Sequence, residues 1–207
     1  MEIAILAGGA ARRLKGVYKP LLPICGKPLL ARVIENTSPF FQKILVVVHT
    51  EEQERLVSPL LRKFQVETVI LRDAAEVYSP LTGLYTATLH SKNTILTVVP
   101  ADTPFITGLT LKRLQEALDE AVDAVVPLWP NGYVEPLIAV YRRAVLSEEL
   151  KRLDRMDIRV ASVLQRLRTR YIDIRSLTDN PEIEFLNVNT EKDVETAERR
   201  CRGQGTS

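Results

Sequence analysis

Two kinds of hydrophobic pattern alternate along the chain. Runs of consecutive apolar residues, such as Ile-Leu-Val-Val-Val at 44–48, are typical of strands buried on both faces of a sheet. Between them, apolar residues recur at helical spacing, as at Leu56, Leu60 and Phe64, which predicts a helix that packs one face on that sheet. Up to residue 71 the predicted order is strand, helix, strand, helix, strand, which is typical of a doubly wound, mostly parallel α/β sheet.

The same pattern predicts seven strands and no linker between separate domains. The predicted strands span 2–7, 43–49, 66–71, 93–99, 122–128, 135–141 and 171–174. Helix starts are marked by Thr50 with Gln53 three residues later, by Ser79 before Pro80, and by Thr107. We therefore expect one domain over 1–200 and a frayed tail over 201–207.

The first predicted strand leads into a loop that is rich in glycine and basic residues. Segment 8–16 reads Gly-Gly-Ala-Ala-Arg-Arg-Leu-Lys-Gly, and Lys19 follows shortly after. Adjacent glycines let backbone N–H groups approach an anion, and Arg and Lys side chains bind phosphate. The spacing matches neither a P-loop nor a dinucleotide fingerprint. We predict a polyphosphate cradle at the carboxyl end of this strand; the alternative is a tight turn with solvated basic side chains.

A carboxylate follows the fourth predicted strand directly. Asp102 stands between Pro100 and Pro104, where it could hold Mg²⁺ together with phosphate oxygens or, alternatively, cap the turn or helix that follows. In a doubly wound sheet the first and fourth strands can be neighbours, which would bring Asp102 opposite Gly8 and Gly9. A metal carboxylate facing an anion cradle favours phosphoryl or nucleotidyl transfer.

Composition narrows the class of protein. The 207 residues carry a net charge of only +2, which argues against bulk nucleic-acid binding. No apolar run approaches the ~18 residues that span a bilayer, and we expect no signal peptide, because Met1 and Glu2 lead directly into the first predicted strand. Cys25 and Cys201 lack metal-site spacing, so we expect reduced thiols and a cytoplasmic protein. From the charge and the short apolar runs we expect no nucleic-acid or membrane partner, and we expect a monomer or a weak homo-oligomer.

Five motifs in the same order resemble those of the molybdenum cofactor guanylyltransferases. They are L-A-G-G-x-x-x-R-L-x-G-x-x-K from residue 6, R-D at 72–73 with P-L-T-G-L at 80–84, P-A-D-T-P-F at 100–105, P-L-I-A-V-Y at 136–141, and F-L-N-V-N-T-E-K-D at 185–193. Because the motifs agree in order over most of the chain, they carry more weight together than singly.

The resemblance implies a Rossmann-like nucleotidyltransferase fold that uses Mg²⁺ to transfer GMP from GTP to the phosphate of molybdopterin. Residues 1–106 would then bind the nucleotide and 107–200 the acceptor. The implied nucleotide-binding residues are Leu6, Ala7, Gly8, Gly9, Lys19, Asp73, Gly83 and Asp102. The implied catalytic residues are Arg13, Lys19 and Asp102, with Asp102 as the metal ligand.

Three further polar residues are candidates for binding the acceptor. Asn187 and Asn189 could do so, or could tie the last segment to the following helix. Glu135 could face the acceptor or the metal, or could be a solvated charge at a strand edge.

The chain departs from the family pattern at two positions, and other functions stay open. Lys15 stands where the family commonly has Gly, and Tyr18 where it commonly has Asp. A related enzyme could use CTP with molybdopterin, or could transfer GMP to phospholactate or cobinamide phosphate. A catalytically silent nucleotide-binding partner in cofactor assembly is the alternative from another class of protein.

Overall fold

Strands and helices alternate through most of the chain, as the hydrophobic pattern predicts. The structure is a computed structural model that describes residues 1–8, 16–73, 79–152 and 160–204. The strands are β1 (Glu2–Leu6), β2 (Pro23–Ile24), β3 (Lys27–Pro28), β4 (Lys43–Val48), β5 (Glu67–Arg72), β6 (Ile95–Pro100), β7 (Ala124–Leu128), β8 (Ala139–Arg142) and β9 (Thr169–Asp173). The helices are α1 (Leu29–Thr37), α2 (Glu51–Leu61), α3 (Pro80–His90), α4 (Gly108–Glu116), α5 (Arg143–Arg152), α6 (Val160–Leu164), α7 (Ile174–Leu177), α8 (Pro181–Glu184) and α9 (Glu191–Gln204), with a 3₁₀ turn at Lys19–Leu21.

Within these described residues, seven strands form one sheet in the order β5-β4-β1-β6-β8-β7-β9. All neighbours pair in parallel except at β8, which runs antiparallel to both β6 and β7. The predicted neighbourhood of the first and fourth long strands is therefore confirmed, because β1 pairs with β6 from Ile3 opposite Thr97 to Leu6 opposite Pro100. The carboxyl ends of β1, β4, β5 and β6 share one edge of the sheet, which we call the carboxyl edge.

Helices cover both faces of the sheet. On one face, α1, α2 and α4 pack against side chains that include Ile3, Ile5 and Val46. On the other face, α3, α5 and α6 pack against alternate residues of the same strands, such as Ala4 and Leu45. Because neighbouring strand residues point to opposite faces, both sets must be apolar, which explains the continuous hydrophobic runs.

The predicted helix starts are confirmed. The Thr50 hydroxyl accepts a hydrogen bond from the Gln53 N–H, and the Gln53 side chain accepts from the Thr50 N–H, which completes a capping box. The Ser79 side chain caps α3, and the Thr107 side chain caps α4. Since α4 is capped by Thr107, the structure does not support the alternative in which Asp102 caps that helix.

The C-terminal helix packs on the small β2–β3 hairpin. Leu22 and Ile24 meet Val194 and Ala197 of α9 in a separate apolar cluster. A disulfide joins Cys25 to Cys201, whereas we expected two reduced thiols. Helix α9 continues to Gln204, four residues into the segment that we expected to be frayed. The expectation of reduced thiols was wrong because 176 positions separate the two cysteines in the sequence, and only the folded chain brings them together.

Strand β8 is shorter than the prediction of 135–141. The Ile138 N–H donates to the Glu135 carbonyl at 3.1 Å, which makes a turn of residues that the apolar pattern assigned to the strand.

None of the described helices is both long and apolar enough to cross a membrane.

Candidate active site

An ammonium group and two oxygen-bearing side chains meet at the carboxyl edge. The Lys19 ammonium donates to Asp102 Oδ2 and, at 2.5 Å, to Asn189 Oδ1. The side chains of Lys19 and Asp102 remain 16% and 23% exposed, so the group is reachable from solvent. We call these three residues the charge cluster. The structure thus brings together three of the site residues that the sequence predicts.

Backbone hydrogen bonds set the positions of Asp102 and Asn189. The Ala101 N–H donates to the Leu6 carbonyl at 2.9 Å, so Asp102 comes directly after a residue fixed to the end of β1. The Val188 N–H donates to the Asp102 carbonyl, also at 2.9 Å, and Asn189 comes next. Asp102 and Asn189 therefore each directly follow a residue whose backbone N–H is bonded to a segment that is distant in the sequence.

Asp193 also holds the segment that carries Asn189. Its Oδ2 accepts from the N–H groups of Asn189 at 2.9 Å and Thr190 at 2.7 Å. Burial raises the pKa of Asp193, but these bonds, the Thr190 hydroxyl and the Lys19 charge outweigh it, so its pKa lies below the usual value. Asn187 lies half-buried on the same segment. The alternative in which Asn189 only ties this segment to the helix is incomplete, because its side chain reaches Lys19.

A second polar group lies on the other side of β1. Asp73 follows β5 directly, and its carboxylate accepts from the hydroxyls of Thr82, at 3.0 Å, and Thr86, at 2.5 Å, in α3. His49 follows β4, with Nδ1 3.6 Å from Asp73 Oδ2. The side chains of Asp73 and His49 are only 4% and 7% exposed. We call Asp73, Thr82, Thr86 and His49 the hydroxyl cluster.

Two glycines mark close packing beside the end of β1. A Cβ atom on Gly8 would lie 2.8 Å from the His49 nitrogen and 2.9 Å from the Val48 carbonyl carbon, so the chain passes β4 at a distance that only glycine permits. A Cβ atom on Gly83 would meet the Leu6 side chain at 3.5 Å, an ordinary contact. Gly83 is buried against the β1 end rather than open to solvent.

The predicted residues Leu6 and Ala7 lie between the two clusters. The Leu6 carbonyl accepts the Ala101 N–H, and the Ala7 N–H donates to the Val47 carbonyl at 2.7 Å. Gly9 and Arg13, with the other basic residues of that loop, lie outside the described residues.

Glu135 is buried beside the charge cluster, so its interpretation as a solvated strand-edge charge is wrong. Only 7% of the residue is exposed, and Oε1 accepts from the Trp129 indole N–H at 2.9 Å. Burial raises the pKa of Glu135, the Trp129 hydrogen bond lowers it, and the charge of Asp102 raises it further, with a net upward shift. Trp129 in turn packs edge-on against Phe185, with ring centroids 6.3 Å apart.

Comparison with known proteins identifies the family. A model of the MobA-like NTP transferase domain matches residues 3–171. The chain belongs to the MobA-like NTP transferase family. It is therefore a nucleotidyltransferase by descent, and the charge cluster lies within the matched domain except for Asn189, which follows it.

Relatives of this family cover nearly the whole chain. A probable molybdenum cofactor guanylyltransferase of Methanosarcina mazei is 31% identical over 195 residues, which are 92% of this chain and 87% of that protein. One of Bacillus licheniformis is 32% identical over 197 residues, covering 94% of each. The crystal structure of molybdopterin-guanine dinucleotide biosynthesis protein A from Archaeoglobus fulgidus superposes with a TM-score of 0.80 at 29% identity, covering 98% of this chain and all of that one.

The oxygen donors of the charge cluster suit a divalent cation. A carboxylate and an amide oxygen already converge on the Lys19 ammonium, and both are ligand types that Mg²⁺ accepts. No group of three or more His, Cys, Asp or Glu side chains suited to a metal occurs in the described part of the chain. A magnesium ion here would accordingly depend on phosphate oxygens and water for its remaining ligands.

Sequence reasoning missed two residue pairs around this site. Thr82 and Thr86 are four positions apart, so a helix places both hydroxyls on one face, and this spacing was a readable signal. The bond between Trp129 and Glu135 had no comparable signal, because it depends on the path of the loop between β7 and β8.

Proposed function

We propose that this chain transfers GMP from GTP to the terminal phosphate of molybdopterin and releases pyrophosphate. The names of its relatives in the MobA-like family support the substrates. The observation that carries the proposal is the charge cluster, in which Lys19, Asp102 and Asn189 meet at the carboxyl edge between β1 and β6. Ligands of open α/β sheets bind at this edge.

The nucleotide would lie across the end of β1. In this arrangement Leu6, Ala7 and Gly8 contact the nucleoside through the backbone, with Asp73 and Gly83 beside them. The buried hydroxyl cluster supports this part of the site, because its hydrogen bonds hold Asp73 at the end of β5 against α3, with His49 of the β4 end beside it. On the other side of β1, Lys19 binds phosphate oxygens.

The proposed reaction forms one bond and breaks one. An acceptor phosphate oxygen attacks the α-phosphorus of GTP, and the bond from that phosphorus to the oxygen bridging to the β-phosphorus breaks, so that its electron pair leaves with pyrophosphate. A phosphate monoester is largely ionised at pH 7 and needs no protein base. Catalysis then rests on positioning and on offsetting charge, the task assigned to Lys19 and to Arg13.

Asp102, with the amide oxygen of Asn189 nearby, would hold a divalent ion, and family members generally need one. A bound Mg²⁺ offsets the negative charge of the triphosphate and of the leaving pyrophosphate. Glu135, Asn187 and Asn189 would face the acceptor. Glu135 lies close enough to Asp102 to feel its charge and is bound by Trp129, whereas Asn187 and Asn189 lie on the segment that reaches Lys19.

Pyrophosphate release tests the proposal directly. Purified protein is incubated with Mg²⁺, molybdopterin and each of GTP, ATP, CTP and UTP in turn, with acceptor-free reactions as the control. We expect release that requires the acceptor and is selective for GTP. Release with CTP would instead keep the reaction and change the base.

A different result would reject the function. If GTP binds but no nucleotide supports release with molybdopterin, the acceptor is wrong or the chain is a silent binding partner. Phospholactate and cobinamide phosphate as acceptors then distinguish these two outcomes.

A further inference from the structure

Tyr18 links the segment that carries Lys19 to the end of β1. It stands directly before Lys19, and only 8% of it is exposed. Its hydroxyl donates a hydrogen bond to the Ala7 carbonyl, 11 positions earlier. This bond joins the residue before the 3₁₀ turn to the residue after β1.

The backbone of Tyr18 also fixes that turn. The Leu21 N–H donates to the Tyr18 carbonyl at 2.8 Å, and the Leu22 N–H donates to the Lys19 carbonyl at 3.0 Å. Lys19 is thus the first residue of a short hydrogen-bonded turn whose preceding residue is attached to β1. A shift of Tyr18 would move the Lys19 backbone with it.

The three members of the charge cluster are located in a similar way, with one difference. The bonds that precede Asp102 and Asn189 join backbone groups, which almost any residue supplies. The bond that precedes Lys19 uses a side-chain hydroxyl. A single substitution, Tyr18→Phe, therefore removes it and leaves the aromatic ring in the core.

We infer that Tyr18 is a positioning residue, whose hydroxyl sets the Lys19 ammonium against Asp102 and Asn189. The Tyr18 hydroxyl is bonded to the Ala7 carbonyl and not to Asp102 or Asn189, so its effect on the charge cluster passes through Lys19. The consequence for catalysis rests on the proposed function, whereas the consequence for the Lys19 contacts does not. Without the hydroxyl, the Lys19 ammonium samples positions away from its two oxygen partners and away from the triphosphate.

The first experiment measures how well Lys19 is held, and it requires no turnover. An amine-acylating reagent is applied briefly, and the labelled fraction of Lys19 is measured by mass spectrometry relative to exposed Lys112. We expect Lys19 to react about fivefold faster in Tyr18→Phe than in the wild type, since a net hydrogen bond contributes about that factor or more. The Lys112 rate should not change.

Tyr141→Phe is the matched control. The Tyr141 hydroxyl also donates to a backbone carbonyl, that of Pro136, from a fully buried ring. Both variants lose one such hydrogen bond, so the melting temperature of both should be somewhat lower than that of the wild type. Faster Lys19 labelling in Tyr18→Phe alone would support positioning, and the same labelling rate in Tyr18→Phe as in the wild type would overturn the inference.

Kinetics then test the catalytic consequence. Well below the melting temperature, we expect kcat of Tyr18→Phe with GTP and molybdopterin to fall about tenfold, with a smaller change in KM for the acceptor. An unchanged kcat in an active wild type would overturn the catalytic part. A wild type that does not turn over would reject the proposed function instead, and the labelling result would still decide whether Tyr18 positions Lys19.

Discussion

The charge cluster and the hydroxyl cluster lie on opposite sides of β1 at the same edge of the sheet, and they are built differently. In the charge cluster, the partially exposed Lys19 ammonium donates hydrogen bonds to the Asp102 carboxylate and to the neutral Asn189 amide oxygen, and 16% of the Lys19 side chain is exposed. In the hydroxyl cluster, the Asp73 carboxylate is almost fully buried and is bound by two neutral hydroxyls. The first arrangement leaves charged groups exposed to solvent, whereas the second uses its charge to bind β5 to α3.

The two clusters also differ in how far apart their members lie in the sequence. Lys19 is 83 positions from Asp102 and 170 positions from Asn189. Asp73 is 9 positions from Thr82 and 13 from Thr86. The hydrogen bonds of Asp73 therefore need only β5 and the next helix, whereas the charge cluster needs segments from both ends of the chain. Perturbations of distant ties should affect the charge cluster first.

The disulfide between Cys25 and Cys201 is the most distant of these ties, and we expect the largest effect on stability from its reduction. Closing so long a loop constrains the unfolded chain, so reduction should cost about 5 kcal/mol of unfolding free energy. Amide hydrogen exchange is measured with and without reductant. Reduction should accelerate exchange in α9 and the β2–β3 hairpin more than in α3. The Cys25→Ser/Cys201→Ser double variant is the control, since reductant should not change it. Equal acceleration in α3 and α9 would contradict the difference between the two clusters.

Replacement of Asp73 should have a smaller effect on stability. In Asp73→Ala the Thr82 and Thr86 hydroxyls lose a buried acceptor, which should cost about 2 kcal/mol of unfolding free energy, measured by urea denaturation. Asp119→Ala is the control, because Asp119 pairs with Arg170 at the exposed surface, and we expect a far smaller change. If the two variants lost the same stability, the hydroxyl cluster would not have the supporting role described above.

Much of this fold was predictable because its signals are local. Continuous apolar runs gave the strands, and Thr50, Ser79 and Thr107 gave the helix starts. Asp102 was predictable because it follows a buried strand in a sheet whose strand order brings β1 beside β6. The strands and helix starts depend on neighbouring residues, and the place of Asp102 follows from the strand order that this local pattern predicts.

The features that escaped prediction depend on contacts made only after folding. Nothing near Glu135 in the sequence indicates that the loop between β7 and β8 returns Trp129 to its carboxylate. The pairing of Cys25 with Cys201 depends on α9 packing against the hairpin. Tyr18 appeared in the sequence only as the loss of a carboxylate, and its bond to Ala7 required the structure.

The central claim is that nucleotidyl transfer takes place at the charge cluster, and Asp102→Asn tests it most directly. Pyrophosphate release from GTP with Mg²⁺ and molybdopterin is measured for the wild type, Asp102→Asn and Asp119→Asn, and the melting temperature of each is recorded. We expect Asp102→Asn to lose at least about 100-fold in kcat while it stays folded, because a group that offsets transition-state charge through the metal contributes on that order. The control Asp119→Asn should retain wild-type turnover. A folded Asp102→Asn variant with wild-type turnover would contradict the account.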